Sequence, residues 1–103
     1  MSDWYITYEG DEDLGHIVND SAGIDMTMQF QHDPVGENGI NGVQNEEVLD
    51  LLAERLRHLN ARFPCRENSI AITKVEEAAL WLRHRTALRF EQGVEGKNEP
   101  HVS

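Results

Sequence analysis

An apolar residue recurs every three or four positions between residues 48 and 63, and a proline follows at once. The stripe consists of Val48, Leu52, Leu56, Leu59 and Phe63. This spacing matches the 3.6-residue period of an α-helix that buries one face. Pro64 disfavours helical geometry at the residue before it, so the helix is expected to end there. The pattern therefore predicts one amphipathic helix, with Asn45 as its N-cap.

A second helix is predicted after a short connection. Its apolar stripe consists of Ile72, Val75, Ala79 and Leu82. Asn68 or Ser69 is a suitable N-cap, and Thr73 with Glu76 is an alternative capping box. We favour the earlier start, with Thr73 inside the helix and Gly93 just past its end. A connection of about five residues indicates an antiparallel helical hairpin.

The first 33 residues have a β-rich pattern. Residues 4–8 and 25–30 are predicted strands, and residues 16–18 are a possible third, short one. Met26, Met28 and Phe30 alternate with polar residues, which predicts one buried face. Short strands need a partner surface, so this segment must pack on something else. The expected fold class is α+β, with a small β-rich segment before a two-helix hairpin.

Four segments follow from these patterns. We expect a β-rich segment at 1–33, a Gly/Asn loop at 34–44, a helical-hairpin domain at 45–92 and a mobile tail at 93–103. The Asn-Gly steps of the loop favour sharp turns. A plain connector is the favoured interpretation of this loop, and a ligand-contacting loop is the alternative. A chain of 103 residues has a thin core, which makes a homo-oligomer a natural supplement.

Positive charge is confined to the second half of the chain. The first 54 residues contain 13 Asp and Glu and no Lys or Arg, whereas residues 55–89 contain eight of the nine basic residues. The net charge of −10 argues against binding of DNA or RNA, which requires many phosphates to be neutralised. A small anionic ligand in a local basic pocket is compatible with this distribution.

Several classes of function have no support in the sequence. Cys65 is the single cysteine and has no partner for a disulfide or a metal site. The histidines are scattered, and GENGING lacks the ending of a phosphate-binding loop. No run approaches the roughly 18 apolar residues that span a bilayer. The sequence predicts a cytoplasmic protein with no cofactor, metal or membrane partner, and it gives only weak support for a catalytic site.

The second predicted helix ends in a basic run. Arg85 and Arg89 lie one turn apart, about 6 Å along the axis, and two guanidinium groups at this separation can bind a phosphate or pyrophosphate. The alternative, favoured by spacing alone, is a solvated helix end that complements the dipole. Arg66, Asn68 and Lys74 likewise have plain structural explanations. The aromatic residues Phe63 and Trp81 are expected in a core or interface, with base stacking as the alternative.

The segment from Phe63 to Leu82 reads FPCRENSIAITKVEEAALWL. It resembles the helical-hairpin domain of bacteriophage anti-CBASS and anti-Thoeris nucleotide sponges. The family pattern is (S/C)RE(N/R)-x-(L/I)-A-(I/L)-T-K-(L/V)-x-E-A, followed by a Trp. The later RT-x-x-R and GVEG runs are also similar to phage members. The resemblance covers about half the chain, and residues 1–33 carry no family feature.

The resemblance implies a non-enzymatic phage protein, commonly a hexamer, that sequesters a cyclic nucleotide or cyclic ADP-ribose signal inside the infected bacterium. In the anti-Thoeris branch the ligand is held by an Asn after the turn and two Arg four residues apart. The matching positions here are Asn68, Arg85 and Arg89. The other candidate ligand contacts, for which a structural role is the alternative, are Phe63, Arg66, Thr73 and Lys74.

Two other functions remain open. The acidic N-terminal half suits an oligomeric adaptor or structural phage protein that binds a basic protein partner. A nucleotide hydrolase is the weaker alternative.

Overall fold

The computed structural model describes residues 2–10 and 13–91. These residues form two compact units, one that ends at Val43 and one that begins at Gln44. The first contains three antiparallel strands and a short helix, and the second contains two long helices. The expected α+β class is therefore confirmed. None of the described helices has the length and apolar character of a membrane-spanning segment.

The sheet is an antiparallel meander with the second strand in the centre. Its strands are β1 (Tyr5–Glu9), β2 (Leu14–Asn19) and β3 (Ile24–Gln29). The two outer strands lie within one residue of their predicted positions. The central strand spans six residues rather than the predicted three. Its first five residues pair with both outer strands, and its last residue, Asn19, pairs with β3 alone.

The turn from β2 to β3 is held by local hydrogen bonds. The Asn19 Oδ1 atom accepts the Ala22 N–H at 3.0 Å, and the Asp20 carbonyl accepts the Gly23 N–H at 3.2 Å. Gly23 has φ of 67°, a conformation that costs glycine little. This turn aligns β3 on the central strand.

The two faces of the sheet differ in polarity. Ile6, Ile17 and Met26 are aligned across the strands on one face, since alternate residues share a face. Over Gly15 this face is closely packed, because a Cβ there would lie 2.9 Å from the Phe30 ring. The sequence predicted that the face of β3 with Met26, Met28 and Phe30 is buried, and this prediction is confirmed only in part. Phe30 is half-buried, but Met26 is 48% exposed in the single chain.

The segment 34–44, predicted as a loop, contains one helical turn, α1 (Val35–Asn38). Its later part is tied to the strand unit. Val43 forms a parallel bridge with Phe30, and the Asn41 side chain bonds the His32 backbone at 2.7 and 2.9 Å. The backbone of Gly42 approaches the Phe30 carbonyl so closely that a Cβ would lie 2.5 Å from it.

The first long helix, α2, spans Asn45–Arg62. Its N-cap is Gln44 rather than the predicted Asn45, because Gln44 and Glu47 form a reciprocal capping box. In this box the Gln44 N–H donates to the Glu47 carboxylate at 2.8 Å. The helix ends directly before Phe63 and Pro64, as the sequence predicted.

The second long helix, α3, spans Arg66–Glu91 and begins earlier than predicted. Asn68, Ser69 and Thr73 are not its caps. The chain turns at Cys65 instead, whose carbonyl accepts the Ser69 N–H at 3.3 Å and whose Sγ accepts the Asn68 N–H at 3.4 Å. Thr73 lies inside the helix, as favoured. The predicted end at Gly93 and the tail 93–103 lie outside the described residues.

The two long helices pack side by side in antiparallel orientation, as a helical hairpin. Arg57 donates to Glu76 at 2.6 Å, and Arg83 forms an ion pair with Asp50. Between these two pairs, at the same level on each helix, lie Ala53 and Ala79. They are the two apolar residues of the described chain that are fully buried, each 2% exposed. Small side chains at this level let the helices approach closely.

Candidate functional site

The predicted ligand contacts lie at two separate ends of the second unit. Phe63, Asn68 and their neighbours lie at the turn of the hairpin, whereas Arg85 and Arg89 lie near the other end of α3. Asn68 and Arg85 are 17 positions apart, which is about 26 Å at 1.5 Å per residue. A single chain therefore does not bring them together.

At the turn end, the first two turns of α3 form a shallow groove of about 360 Å³. Its lining residues are Arg66, Ser69, Ile70, Thr73 and Lys74. The Arg66 guanidinium forms no ion pair or hydrogen bond with any described residue, while Lys74 is 3.9 Å from Glu77. The two cations suit an anionic ligand, whereas the Ser69 and Thr73 hydroxyls already donate to the Cys65 and Ser69 carbonyls.

Asn68 has a structural task at the turn. Its Nδ2 donates to the Phe63 carbonyl at 3.4 Å, and its side chain is half-buried. Phe63 itself is 66% exposed, with the Arg62 guanidinium 5.2 Å from its ring centroid. The expectation of a core position for Phe63 is wrong for the single chain, since α2 has already ended at this residue.

Towards the other end of α3, the arginines divide into two roles. Arg83 faces α2 and is held by Asp50. Arg85 is exposed, and its guanidinium has no ion pair or hydrogen bond within the described chain. Arg89 is half-buried and has an interaction partner. Of these three arginines, Arg85 is therefore the most available to an anion, with Arg89 one helical turn further on.

Trp81 lies one turn before Arg85 and is 71% exposed, so the expected core position is wrong for the single chain. It lines a groove of about 330 Å³ with Glu77, Leu80 and His84. Its indole meets the His84 ring edge-on, with centroids 5.8 Å apart. The four-residue spacing from Trp81 to Arg85 is the sequence signal that relates this aromatic to the arginines.

The open end of the hairpin holds a larger cavity of about 670 Å³. It is acidic. Its charged lining residues are Glu46, Glu47, Asp50, Arg83 and Glu91. Because the one cation among them is paired with Asp50, this cavity repels phosphates.

A charge pair also links the two long helices. The hydrogen bond that Arg57 donates to the Glu76 carboxylate raises the pKa of Arg57, so this cross-helix pair stays charged. Within residues 2–10 and 13–91, no group of three or more His, Cys, Asp or Glu is arranged to hold a metal ion.

Comparison with known proteins agrees with this architecture. The model of the "Acb2/Tad1, hairpin domain" family matches residues 22–87. The match begins at residue 22, within residues 1–33, for which the sequence alone showed no family feature. It ends at residue 87, so it includes Arg85 but not Arg89. Thoeris anti-defense 1 of Bacillus phage SBSphiJ7 is 51% identical over 83 residues, which is 80% of this chain. The chain spans 58% of the length of that relative. With nearly two thirds of its residues matched, the chain belongs to the Acb2/Tad1 hairpin-domain family.

Proposed function

We propose that this chain is a phage anti-defence sponge. It binds a cyclic nucleotide or cyclic ADP-ribose immune signal in the cytoplasm of the infected bacterium and holds it without cleaving it. The name and the 51% identity of the phage relative support this class of function. The observation that carries the proposal is the exposed Arg85, which has no ion pair or hydrogen bond with any described residue and lies one turn from Arg89 on the hairpin of this family.

Capture is a matter of charge and affinity. A guanidinium presents paired N–H donors that match the oxygens of a phosphate, and it stays charged at all physiological pH values. A sponge competes with a host effector, so it must bind tightly. A Kd near 1 nM corresponds to about −12 kcal/mol. Two arginines supply part of this energy, and burial of base and ribose supplies the rest.

The complete site requires a second copy of the chain. The separation of about 26 Å between Asn68 and Arg85 approaches the diameter of a small domain, which is too far for one small molecule. An antiparallel neighbour places its own Asn68 near Arg85 and Arg89 of the first chain. We therefore propose a homo-oligomer, with the hexamer as its expected form, in which ligand sites lie between subunits.

Exposed apolar residues on the hairpin support this assembly. Leu52, Ile70 and Leu80 are each more than 40% exposed in the single chain. Contiguous apolar surface on a soluble protein usually marks an interaction site. An interface of standard size buries roughly 1,600 Å² in total, and two hairpins packed side by side offer such a surface.

The test is calorimetric titration of the purified protein with cyclic dinucleotides, cyclic trinucleotides, cyclic ADP-ribose isomers and linear ADP-ribose. One cyclic class is expected to bind tightly. Arg85→Ala should then weaken binding about 10- to 100-fold, because a charge-assisted hydrogen-bond pair is lost. Arg55→Ala is the matched control, since Arg55 is exposed on α2 and has no ion pair or hydrogen bond in the described part of the chain.

Two results would contradict the proposal. One is the absence of binding by every cyclic compound in the panel. The other is an Arg85→Ala variant with the affinity of the Arg55→Ala control. Mass spectrometry of ligand released from denatured protein separates capture from hydrolysis, since a sponge returns the ligand intact.

A second candidate function is an adaptor that binds another protein. The apolar face of the sheet favours it, because Ile6, Tyr8 and Met26 are each at least 41% exposed and residues 1–43 contain no Lys or Arg. A basic protein with an apolar patch is the expected partner. Tight binding of such a protein, together with no response to the cyclic panel, would favour this function.

A further inference from the structure

We propose that Trp81 is a stacking platform for a nucleobase of the captured signal, next to the arginines that hold its phosphates. This inference rests on the proposed capture function. It assigns a role to the residue that the sequence had placed in a core or interface.

The position of Trp81 on the helix is the first argument. Residues four apart on a helix are neighbours on one face, about 6 Å apart along the axis. Trp81, Arg85 and Arg89 therefore form a short row. Trp81 is 71% exposed, so its ring is accessible in the single chain. A nucleotide bound along this row meets an aromatic ring first and cations next.

Trp81 has no packing role in the hairpin itself. Two residues show which side of α3 faces α2. Ala79 is buried, and Arg83 forms an ion pair with Asp50 of α2. Trp81 lies two residues from each of them. Positions two apart point to different sides of a helix, so the indole is turned away from α2.

The surroundings of the indole leave it accessible. The His84 ring lies edge-to-face with it, at an interplanar angle of 83° and with ring centroids 5.8 Å apart. The adjoining groove of about 330 Å³ has room for a planar base.

The local charge around Trp81 also suits an uncharged nucleobase. Glu77 lines the groove, but Lys74 lies 3.9 Å from its carboxylate and offsets its charge. One turn further along α3 lies Arg85, a cation that pairs with none of the described residues. The chemistry therefore separates into a nearly neutral aromatic region for a base and a cationic region for phosphate.

The experiment uses two readouts on the full chain. In a Trp4→Phe background, Trp81 is the sole tryptophan, and its fluorescence is recorded during titration with cyclic ADP-ribose and with cyclic di-AMP. Stacking of a base is expected to quench the emission. Calorimetry should show that Trp81→Ala weakens binding about 5- to 100-fold, as for other aromatic platforms, and that Trp81→Phe retains most affinity.

Controls separate stacking from assembly and from phosphate binding. Leu51→Ala removes an equally exposed apolar side chain from α2 and should bind normally. Inorganic pyrophosphate has no base, so its affinity should be the same for Trp81→Ala and wild type. Light scattering should give all variants the same mass.

The outcomes distinguish the two proposals. If neither cyclic compound binds the wild type, the capture function fails and the stacking role fails with it. If a compound binds and Arg85→Ala weakens it, while Trp81→Ala binds with unchanged affinity, capture stands and the stacking role is overturned. A third outcome would also overturn the stacking role. In it, Trp81→Ala changes the mass of the oligomer, Trp81→Phe restores that mass, and ligand does not quench the Trp81 fluorescence. Trp81 would then belong to the subunit interface.

Discussion

His16 lies on the central strand with a carboxylate on each side. Its Nε2 is 2.5 Å from Glu9 on β1, and its Nδ1 is 3.1 Å from Asp25 on β3. The hydrogen bonds to Glu9 and then to Asp25 raise its pKa above the ordinary value of 6.5. On the same face, Tyr5 donates to Asp20, which raises the pKa of the phenol. One imidazolium thus joins all three strands.

This geometry predicts pH-dependent stability. A group whose folded pKa is raised stabilises the fold fully below its unfolded pKa, and this stability is lost as the pH rises through the folded value. The stability of wild type should therefore fall as the pH rises above about 6.5. Urea unfolding followed at the sheet, at pH 5.5 and at pH 8.5, measures this change.

The matched variants are His16→Gln and His84→Gln. The first removes the titrating group between the strands and should flatten the pH dependence. The second removes a histidine that is exposed on α3 and should leave it unchanged. Equal loss of stability with rising pH in wild type and His16→Gln would show that His16 is not the cause.

At the scale of elements, the hairpin depends on two alanines. Ala53 and Ala79 are each 2% exposed and lie between the ion pairs Arg57–Glu76 and Asp50–Arg83. The ion pairs are about half exposed, so solvent screens them and they mainly define the register. Steric fit at the alanine level is therefore expected to dominate the stability of the pair.

Ala53→Leu should lower the free energy of unfolding by about 1–3 kcal/mol, because the larger side chain forces the helices apart. Ala61→Leu is the control, since Ala61 is exposed on the same helix and its change should stay within about 0.5 kcal/mol. Thermal unfolding monitored by circular dichroism measures both. Equal midpoints for the two variants would mean that the helices are not closely packed at Ala53.

The elements themselves were largely predictable. Apolar periodicity located both long helices, and Pro64 located the end of the first. The start of α3 was predicted two or more residues too late, because a cysteine sulfur and a backbone carbonyl replaced the expected Asn or Ser cap. Gln44 was missed as a cap for a similar reason. Such caps are local contacts that residue preference tables describe poorly.

At the scale of the whole molecule, the distance between the two ends of α3 is decisive. The proposed ligand contacts occupy both ends of one straight helix and cannot meet within a chain. A site formed between subunits predicts that two inactive variants complement each other, whereas a site within one chain does not.

Two inactive variants should complement each other when mixed. Asn68→Ala and Arg85→Ala are each expected to bind poorly. Suppose that each site takes Asn68 from one subunit and Arg85 from the next. When equal amounts of the two variants are refolded together into two-fold dimers, about half of the dimers are mixed, and each mixed dimer contains one intact site and one doubly altered site. About a quarter of all sites are therefore restored. Calorimetry gives the number of sites. No recovery, with mixed oligomers confirmed by native mass spectrometry, would place the whole site in one chain.

The sequence by itself determined the fold class, the hairpin, the charge division and the family, because periodicity, proline and a long motif are local properties of a chain. Tertiary structure alone decided which side chains remain accessible. It turned Arg83 towards Asp50 and left Arg85 without a partner among the described residues, and it left Trp81 and Phe63 outside the core. Burial and pairing depend on the neighbour that packs against each face, and that neighbour is distant in the sequence.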